Sequence, residues 1–287
     1  MRRIFWLTTA LMLSVASSAA AENHAAKGIV LKVDAAHRLL TISCEAIPHF
    51  MEAMEMEFAV RDATALSNLK PGTAVTFTIV PQGNDLYAEE IRVRSMANLE
   101  SEPLEAGKLT ALHRAMRPET KAIAVGERVP DFALTDQEGR EIRLSQFAGK
   151  VVLLTFGYSR CPNPNYCFRL SNNLARVEKR FHEDAGRDLV LMTVVIDPEH
   201  DQGAELKNYA AVWKADPAVW HFLTGPLQEV QKVAEMFGTD FWSDEGFVTH
   251  TLHTVVVGRE GTLAANLEGN AFTSELLGDL VETAMKN

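Results

Sequence analysis

The chain has 287 residues, enough for two domains of ordinary size, with 28 Lys and Arg against 38 Asp and Glu. Its formal net charge of -10, without a cluster of basic residues, argues against a nucleic-acid-binding role. The cysteines are Cys44, Cys161 and Cys167, an odd number. In an oxidising compartment, one thiol would therefore be left over as a metal ligand or a reactive group.

Residues 1–21 have the organisation of a secretory signal peptide. A basic start, Met1-Arg2-Arg3, precedes an apolar core over residues 4–16 and a run of small residues that ends at Ala21. This pattern predicts export to the periplasm, with cleavage after Ala21. An uncleaved membrane anchor is the alternative, although the core is shorter than the roughly 20 residues that span a bilayer.

Residues 22–97 read as an all-β domain. Turn-forming Gly, Pro, Asn and Asp residues separate short segments with a strand pattern. Strands are predicted over residues 28–33, 38–44, 55–60, 74–80 and 86–93. Five short strands of this kind predict a small OB-like, Greek-key β-barrel.

A methionine-rich segment lies within this domain. Met54 and Met56 are two residues apart, so on a strand their side chains share a face, and Met51 and Cys44 are near in sequence. Thioether and thiolate sulfur favour Cu(I) over hard cations. A core face filled by methionine is the alternative, but the interleaved glutamates indicate a half-exposed strand.

The segment resembles the CusF-like periplasmic copper-binding domain. Members of that family are five-stranded barrels that bind copper through a histidine and a Met-x-Met pair, under a capping tryptophan. The resemblance implies that Met54 and Met56 are copper ligands and that Cys44, one residue out of register, replaces the histidine. Residues 22–97 contain no tryptophan, and Met51 or Phe50 lies nearest to its place.

Residues 98–123 have no strong periodicity and read as an exposed linker, with a short helix predicted over residues 109–116. From residue 124 onwards, strand and helix patterns alternate, which predicts an α/β thioredoxin-like layer over residues 124–287. Its predicted strands cover residues 129–135, 142–144, 151–156, 189–196, 253–257 and 262–265. The predicted helices begin at Phe168, Ala204 and Pro226, and a last helix over residues 275–285 is capped by Ser274.

Cys161 and Cys167 lie in a polar turn between a buried strand and the helix that begins at Phe168. A helix N-terminus lowers a thiol pKa, so this arrangement predicts a thiol redox site or a soft-metal site. A structural disulfide between Cys161 and Cys167 is the alternative.

The second domain resembles the Sco/SenC family of copper chaperones. The resemblance rests on Val129-Pro-Asp-Phe-Ala-Leu, on the Gly157-Tyr-Ser-Arg-Cys-Pro loop, and on Asp197-Pro-Glu-His-Asp201. It implies copper binding by Cys161, Cys167 and a histidine eleven residues before the glycine of the last hairpin. Counting back from Gly261 selects His250 rather than His253.

One departure from the family pattern is the spacing of the cysteines. Five residues separate them here, whereas family members usually have three. Because the wider loop leaves copper affinity and redox potential open, a purely redox role remains an alternative. Asp197 and Asp201 either orient the site or cap the next element.

Together these features predict an exported metallochaperone that binds Cu(I) or Cu(II). The resemblance implies delivery to the copper-bearing subunit of cytochrome c oxidase, or to another periplasmic copper protein, with membrane contact only through that client. We expect a metal carrier rather than an enzyme. The alternatives are a thiol–disulfide oxidoreductase acting on client cysteines, a peroxidase-like protein and a copper-tolerance buffer.

Overall fold

A computed structural model describes residues 23–83, 85–94, 122–162, 164–244 and 246–287. The predicted signal peptide and most of the predicted linker, including the helix over residues 109–116, lie outside these ranges.

The first unit is a closed five-stranded barrel, as predicted. Its strands are β1 (His24–Asp34), β2 (Leu39–Cys44), β3 (Met54–Ala59), β4 (Ala74–Gln82) and β5 (Asp85–Val93). They close in the order β1-β2-β3-β5-β4, with β3 and β5 parallel and the other described pairs antiparallel. A 3-10 turn over Ala63–Leu66 follows β3, and its cap, Asp62, accepts a hydrogen bond from the Thr64 amide.

The second unit is built on a five-stranded sheet in the order β10-β9-β8-β13-β14. The parallel strands are β8 (Val151–Gly157), β9 (Leu189–Val195) and β10 (Trp220–Leu223). The strands β13 (His253–Val257) and β14 (Leu263–Glu268) add to it in antiparallel fashion. Every residue of β8 and β9 is buried, because helices cover both faces of the sheet.

The helices of this unit are α1 (Arg169–Arg180), α2 (Gly203–Val212), α3 (Leu227–Met236) and α4 (Ser274–Lys286). Two hairpins flank the sheet, β6 (Ala133–Thr135) with β7 (Glu141–Arg143) and β11 (Phe241–Asp244) with β12 (Phe247–His250). A 3-10 turn spans Leu144–Phe147, and a single π-helical turn over Pro164–Phe168 leads into α1. The predicted thioredoxin-like fold is confirmed.

Several local predictions differ from the structure. The short strand β10 and the β11–β12 hairpin were not predicted, since four residues give too little periodicity to identify a strand. The last helix is capped by Thr273, whose hydroxyl accepts from the Leu276 amide, and Ser274 is its first residue. Pro226 precedes α3 as its N-cap instead of lying in its first turn.

The barrel packs against the second unit. Ile29, Leu31 and Ala74 belong to the same buried cluster as Leu267 of β14 and Leu276 of α4. The Ser43 hydroxyl of β2 also donates a hydrogen bond to the Asp279 carboxylate of α4. In the part of the chain that the structure describes, no helix is long and apolar enough to cross a membrane.

Candidate metal centre

Three elements meet at the carboxyl end of β8. Cys161 follows that strand after a short turn, and Cys167 lies in the π-helical turn that opens α1. His250 is the last residue of β12, two residues before the start of β13, the strand that pairs with β8. The sheet order thus brings Cys161 and Cys167 close to His250, which lies more than 80 positions later in the sequence, at the carboxyl end of β8.

The structure places Cys167, Cys161 and His250 side by side. Cys167 Sγ lies 3.8 Å from His250 Nε2, and the Cys161 side chain forms a hydrogen bond with Cys167. Cys167 is buried, while Cys161 and His250 are each partly exposed. Cys167 is therefore the more enclosed of the two thiols.

The His250 ring is held in one orientation. Its Nδ1 lies 2.8 Å from the Thr251 carbonyl oxygen, so Nδ1 carries the proton and Nε2 keeps its lone pair toward Cys167. Burial lowers the pKa of His250 to about 4, which leaves the ring neutral at physiological pH. A neutral imidazole with a fixed tautomer is suited to bind a metal through Nε2.

The thiol of Cys167 differs from its predicted state. The hydrogen bond that the Cys167 thiol donates to Cys161, together with burial, raises the pKa of Cys167 well above its ordinary value. These two effects outweigh the helix terminus, which was expected to lower the thiol pKa. The metal-free site therefore holds protonated Cys167, and a bound metal ion must displace that proton.

Two aspartates hold the loop that carries Cys161. The buried Asp201 carboxylate accepts hydrogen bonds from the amide of Ser159, at 2.8 Å, and from its hydroxyl. Asp197 forms a 2.5 Å ion pair with Arg160. Because Gln202 is the N-cap of α2, the structure favours the orienting role of Asp201 over the capping role.

The loop is also tied to the β11–β12 hairpin by Tyr158. Its hydroxyl accepts a hydrogen bond from the Val248 amide at 3.4 Å, and its ring meets the His250 ring edge-on, with centroids 6.2 Å apart. Tyr158 and Thr251 were not identified from the sequence. Their only signal is adjacency, since each lies within three residues of a predicted ligand.

The three donors do not form a closed coordination shell. Among the described residues, no group of three His, Cys, Asp or Glu side chains is arranged to hold a metal ion. Metal binding to these three donors would therefore require a rearrangement of their side chains.

The barrel candidates lie in a second, separate place. Cys44 is directly opposite Met54 in the β2–β3 pair, and Ile42 is opposite Met56. Met54 is 51% exposed, whereas Met56 is partly buried against the barrel core. The structure thus supports the predicted shared face of Met54 and Met56 on one strand.

Cys44 does not share that exposure. Its side chain is fully buried in the barrel core, where its Sγ donates to the Ile42 carbonyl oxygen over 3.7 Å. Burial raises the pKa of Cys44 to about 12, so the thiol stays protonated. Cys44 is thus a buried, protonated thiol directly opposite Met54 in the β2–β3 pair.

Comparison with known families follows the division into two units. The SCO1/SenC family model matches residues 121–285, more than half of the chain. The chain belongs to the SCO1/SenC family. Residues 23–93 match a second family model, described as copper binding periplasmic protein CusF. The chain is thus a Sco family protein with a CusF copper-binding domain, and copper is the metal of both units.

Individual relatives cover single parts of the chain. The SCO1 protein homolog of Bacillus subtilis (strain 168) is 26% identical over 145 residues, which are 49% of this chain and 74% of the relative. The thiol-disulfide oxidoreductase ResA of Geobacillus thermodenitrificans (strain NG80-2) is 51% identical over 43 residues, 15% of this chain and 25% of the relative. A crystal structure of a protein from Aquifex aeolicus VF5 superposes with a TM-score of 0.51 at 21% identity, covering 56% of this chain and 94% of the other, and shows the shared fold.

Proposed function

We propose that this protein is a periplasmic metallochaperone that carries copper on Cys161, Cys167 and His250. Its client would be the copper-bearing subunit of cytochrome c oxidase, or another periplasmic copper protein. The observation that supports this proposal best is the 3.8 Å approach of His250 Nε2 to Cys167 Sγ, with Nδ1 bonded to the Thr251 carbonyl. A redox cysteine pair alone has no need for a histidine oriented in this way.

Copper would be the cargo, and the three ligands differ in exposure: Cys167 is buried, whereas Cys161 and His250 are partly exposed. Loading removes the proton of Cys167 and leaves His250 as a neutral donor. Thiolate ligands favour Cu(I). Because Cys161 is the more exposed of the two thiols, it is the one through which an incoming ligand of the client would begin exchange.

The barrel would hold a second copper ion. Met54 and Met56 offer two thioether donors on one face of β3, where Met54 is exposed and Met56 is partly buried. Thioethers bind Cu(I) without losing a proton, so this site would load at lower pH than the thiolate site. We propose that it stores or supplies the same metal by ligand exchange.

The proposed periplasmic location rests on two features. Residues 1–21 have the pattern of a signal peptide, and the family model matched by the barrel is that of a periplasmic protein.

Thiol–disulfide exchange with client cysteines is the second candidate function. The hydrogen bond between Cys161 and Cys167 places the two sulfur atoms together, as formation of a disulfide requires. The local similarity to ResA also supports this alternative. In such a reaction Cys161, being the exposed thiol, would attack and Cys167 would resolve the mixed disulfide.

Anaerobic Cu(I) titration of the reduced chain from residue 22 onwards distinguishes the two functions. We expect two copper equivalents for the unmodified protein and loss of one high-affinity equivalent in His250→Ala. The matched control is His182→Ala, which removes a histidine that is 74% exposed and outside the site. One equivalent in the unmodified chain, unchanged both in His250→Ala and in a Cys161→Ser, Cys167→Ser variant, would leave copper to the barrel alone and favour thiol–disulfide exchange at the cysteine loop.

A further inference from the structure

A groove begins beside the metal centre and runs between the first turns of α1 and α4. Its volume is about 380 Å³, and the residues that line it include Phe168, Arg169, Asn172, Arg176, Phe272 and Glu275. Phe168 directly follows Cys167 in the sequence and is the N-cap of α1. One end of the groove therefore lies next to the thiol pair.

The two walls of the groove are joined through the domain. The buried Asn173 side chain donates from Nδ2 to the Phe272 carbonyl oxygen at 3.3 Å, which ties α1 to the segment before α4. The Phe272 ring is buried in the same cluster as Leu170 of α1 and Leu276 of α4. Because buried contacts hold both helices, the groove exists without a partner in it.

Two arginines of α1 face the groove without a charged partner. Arg169 and Arg176 are seven residues apart, which places them on the same face of the helix. Among the described side chains, neither forms an ion pair or a hydrogen bond, whereas Arg180 on the next turn pairs with Asp279 and Glu282. The guanidinium groups of Arg169 and Arg176 are thus available to bind carboxylates.

One carboxylate lies on the opposite wall. The Ser274 hydroxyl donates to the Glu275 carboxylate at 3.1 Å, in the first turn of α4. Two guanidinium groups against one carboxylate leave the groove locally positive, on a chain whose formal net charge is -10. At long range the chain therefore repels an acidic polypeptide, whereas the groove attracts one.

Phe168 adds an apolar contact at the end of the groove that lies nearest to the cysteines. Its side chain is 57% exposed, and its ring contacts the Trp213 ring with centroids 4.9 Å apart. An aromatic ring that is already supported by a neighbour loses little conformational freedom when a partner covers it. Aromatic and arginine side chains together are typical of protein–protein interfaces.

We propose that this groove docks an acidic segment of the client polypeptide beside Cys161 and Cys167. Arg169 and Arg176 pair with carboxylates of that segment, and Phe168 packs against its end nearest to the cysteines. The proposal rests on the proposed function only in requiring a client at the cysteines, and it applies equally to copper transfer and to thiol–disulfide exchange. Docking raises the local concentration of the client's sulfur ligands at the site.

The test compares two synthetic peptides of equal length, acetyl-Glu-Asp-Glu-Gly-Cys-amide and acetyl-Gln-Asn-Gln-Gly-Cys-amide. Each carries a coloured nitrothiobenzoate group, joined to its cysteine as a mixed disulfide. The Cys161 thiol loses its proton to solvent and attacks the peptide sulfur. A disulfide forms between Cys161 and the peptide, and the aromatic thiolate leaves with the electron pair of the broken bond. The rate of its release is measured with the reduced, copper-free chain at low ionic strength.

We expect the acidic peptide to react at least about threefold faster than the amide peptide, against the repulsion from the net charge of the chain. Arg169→Gln, Arg176→Gln should remove or reverse this preference, and Arg169→Lys, Arg176→Lys should keep it. The matched control is Arg92→Gln, Lys232→Gln, which removes two exposed positive charges outside the groove and should also keep it.

An acidic peptide that reacts no faster than the amide peptide with the unmodified chain would overturn the proposal. An undiminished preference in Arg169→Gln, Arg176→Gln would do the same. Because the assay contains no copper, its outcome is independent of the copper titration. Failure of copper binding at the cysteines would leave the docking result intact, and equal rates for the two peptides would reject docking without affecting the copper proposal.

Discussion

At the scale of single residues, the centre depends on how His250 is held. The Thr251 carbonyl accepts a hydrogen bond from Nδ1–H, and burial keeps the ring neutral, so Nε2 is available as a metal ligand without any change in protonation. Cys167 is the opposite case, because its proton must leave when a metal binds. The pH dependence of metal binding should therefore follow the loss of the Cys167 proton and not the protonation of His250.

The lowered pKa of His250 predicts how the stability of the metal-free protein depends on pH. The unfolded chain takes up the proton near its ordinary pKa of 6.5, whereas the folded chain takes it up only near 4. Protonation therefore favours the unfolded state, and the free energy of unfolding should fall as pH decreases from 6.5 to about 4. Urea unfolding measured across this window should show a shallower decline for His250→Gln.

His182→Gln is the matched control for this measurement, since the exposed His182 ring lies outside the centre. It should retain the full decline of the unmodified chain. An identical pH profile for His250→Gln and His182→Gln would show that His250 ionises alike in the folded and unfolded states.

At the scale of secondary-structure elements, the barrel depends on the close approach of β1 and β2. Gly28 lies opposite Cys44, and a Cβ atom on Gly28 would be 2.2 Å from the Ser43 carbonyl oxygen and 2.6 Å from Ile42 Cγ2. The nearest obstacle is backbone, which cannot rotate away. Only glycine fits this position without moving a strand that also carries Cys44.

Gly28→Ala should therefore destabilise the barrel by about 1–3 kcal/mol, as overpacking in a closed core does. The measurement is urea unfolding followed by circular dichroism. Gly258→Ala is the control, because the nearest atoms to its new Cβ would be 3.8 Å away. Equal stabilities for the two variants would mean that β1 and β2 separate easily at Gly28.

The elements also show what could be predicted from the sequence. The long apolar runs of β8 and β9 and the alternating barrel strands were identifiable, because each carries enough residues to show its period. The four-residue β12, which ends at His250, was not. His250 was instead selected by family resemblance, since no local pattern reveals a contact with a cysteine 83 positions away. The raised pKa of Cys167 depends on burial and on Cys161, and spacing alone does not reveal either.

At the scale of the whole molecule, the barrel and the thioredoxin-like unit share buried surface. Alternation along β1 directs Val30 into the barrel core and Ile29 and Leu31 to the opposite side, where they join the cluster that includes Leu276 of α4. Polar contact between Ser43 and Asp279 accompanies this apolar surface. The two units should therefore support each other's stability, although each has its own core.

Leu31→Asp tests that support. A carboxylate placed among buried apolar side chains without a partner favours separation of the two units over burial of the charge. We expect one cooperative calorimetric transition for the unmodified chain and two for Leu31→Asp, with the barrel unfolding at the lower temperature. Val93→Asp makes the same kind of change at a barrel position that is 63% exposed and should keep the single transition. Two transitions already present in the unmodified chain would show that the shared cluster contributes little, and that each unit folds on the strength of its own core.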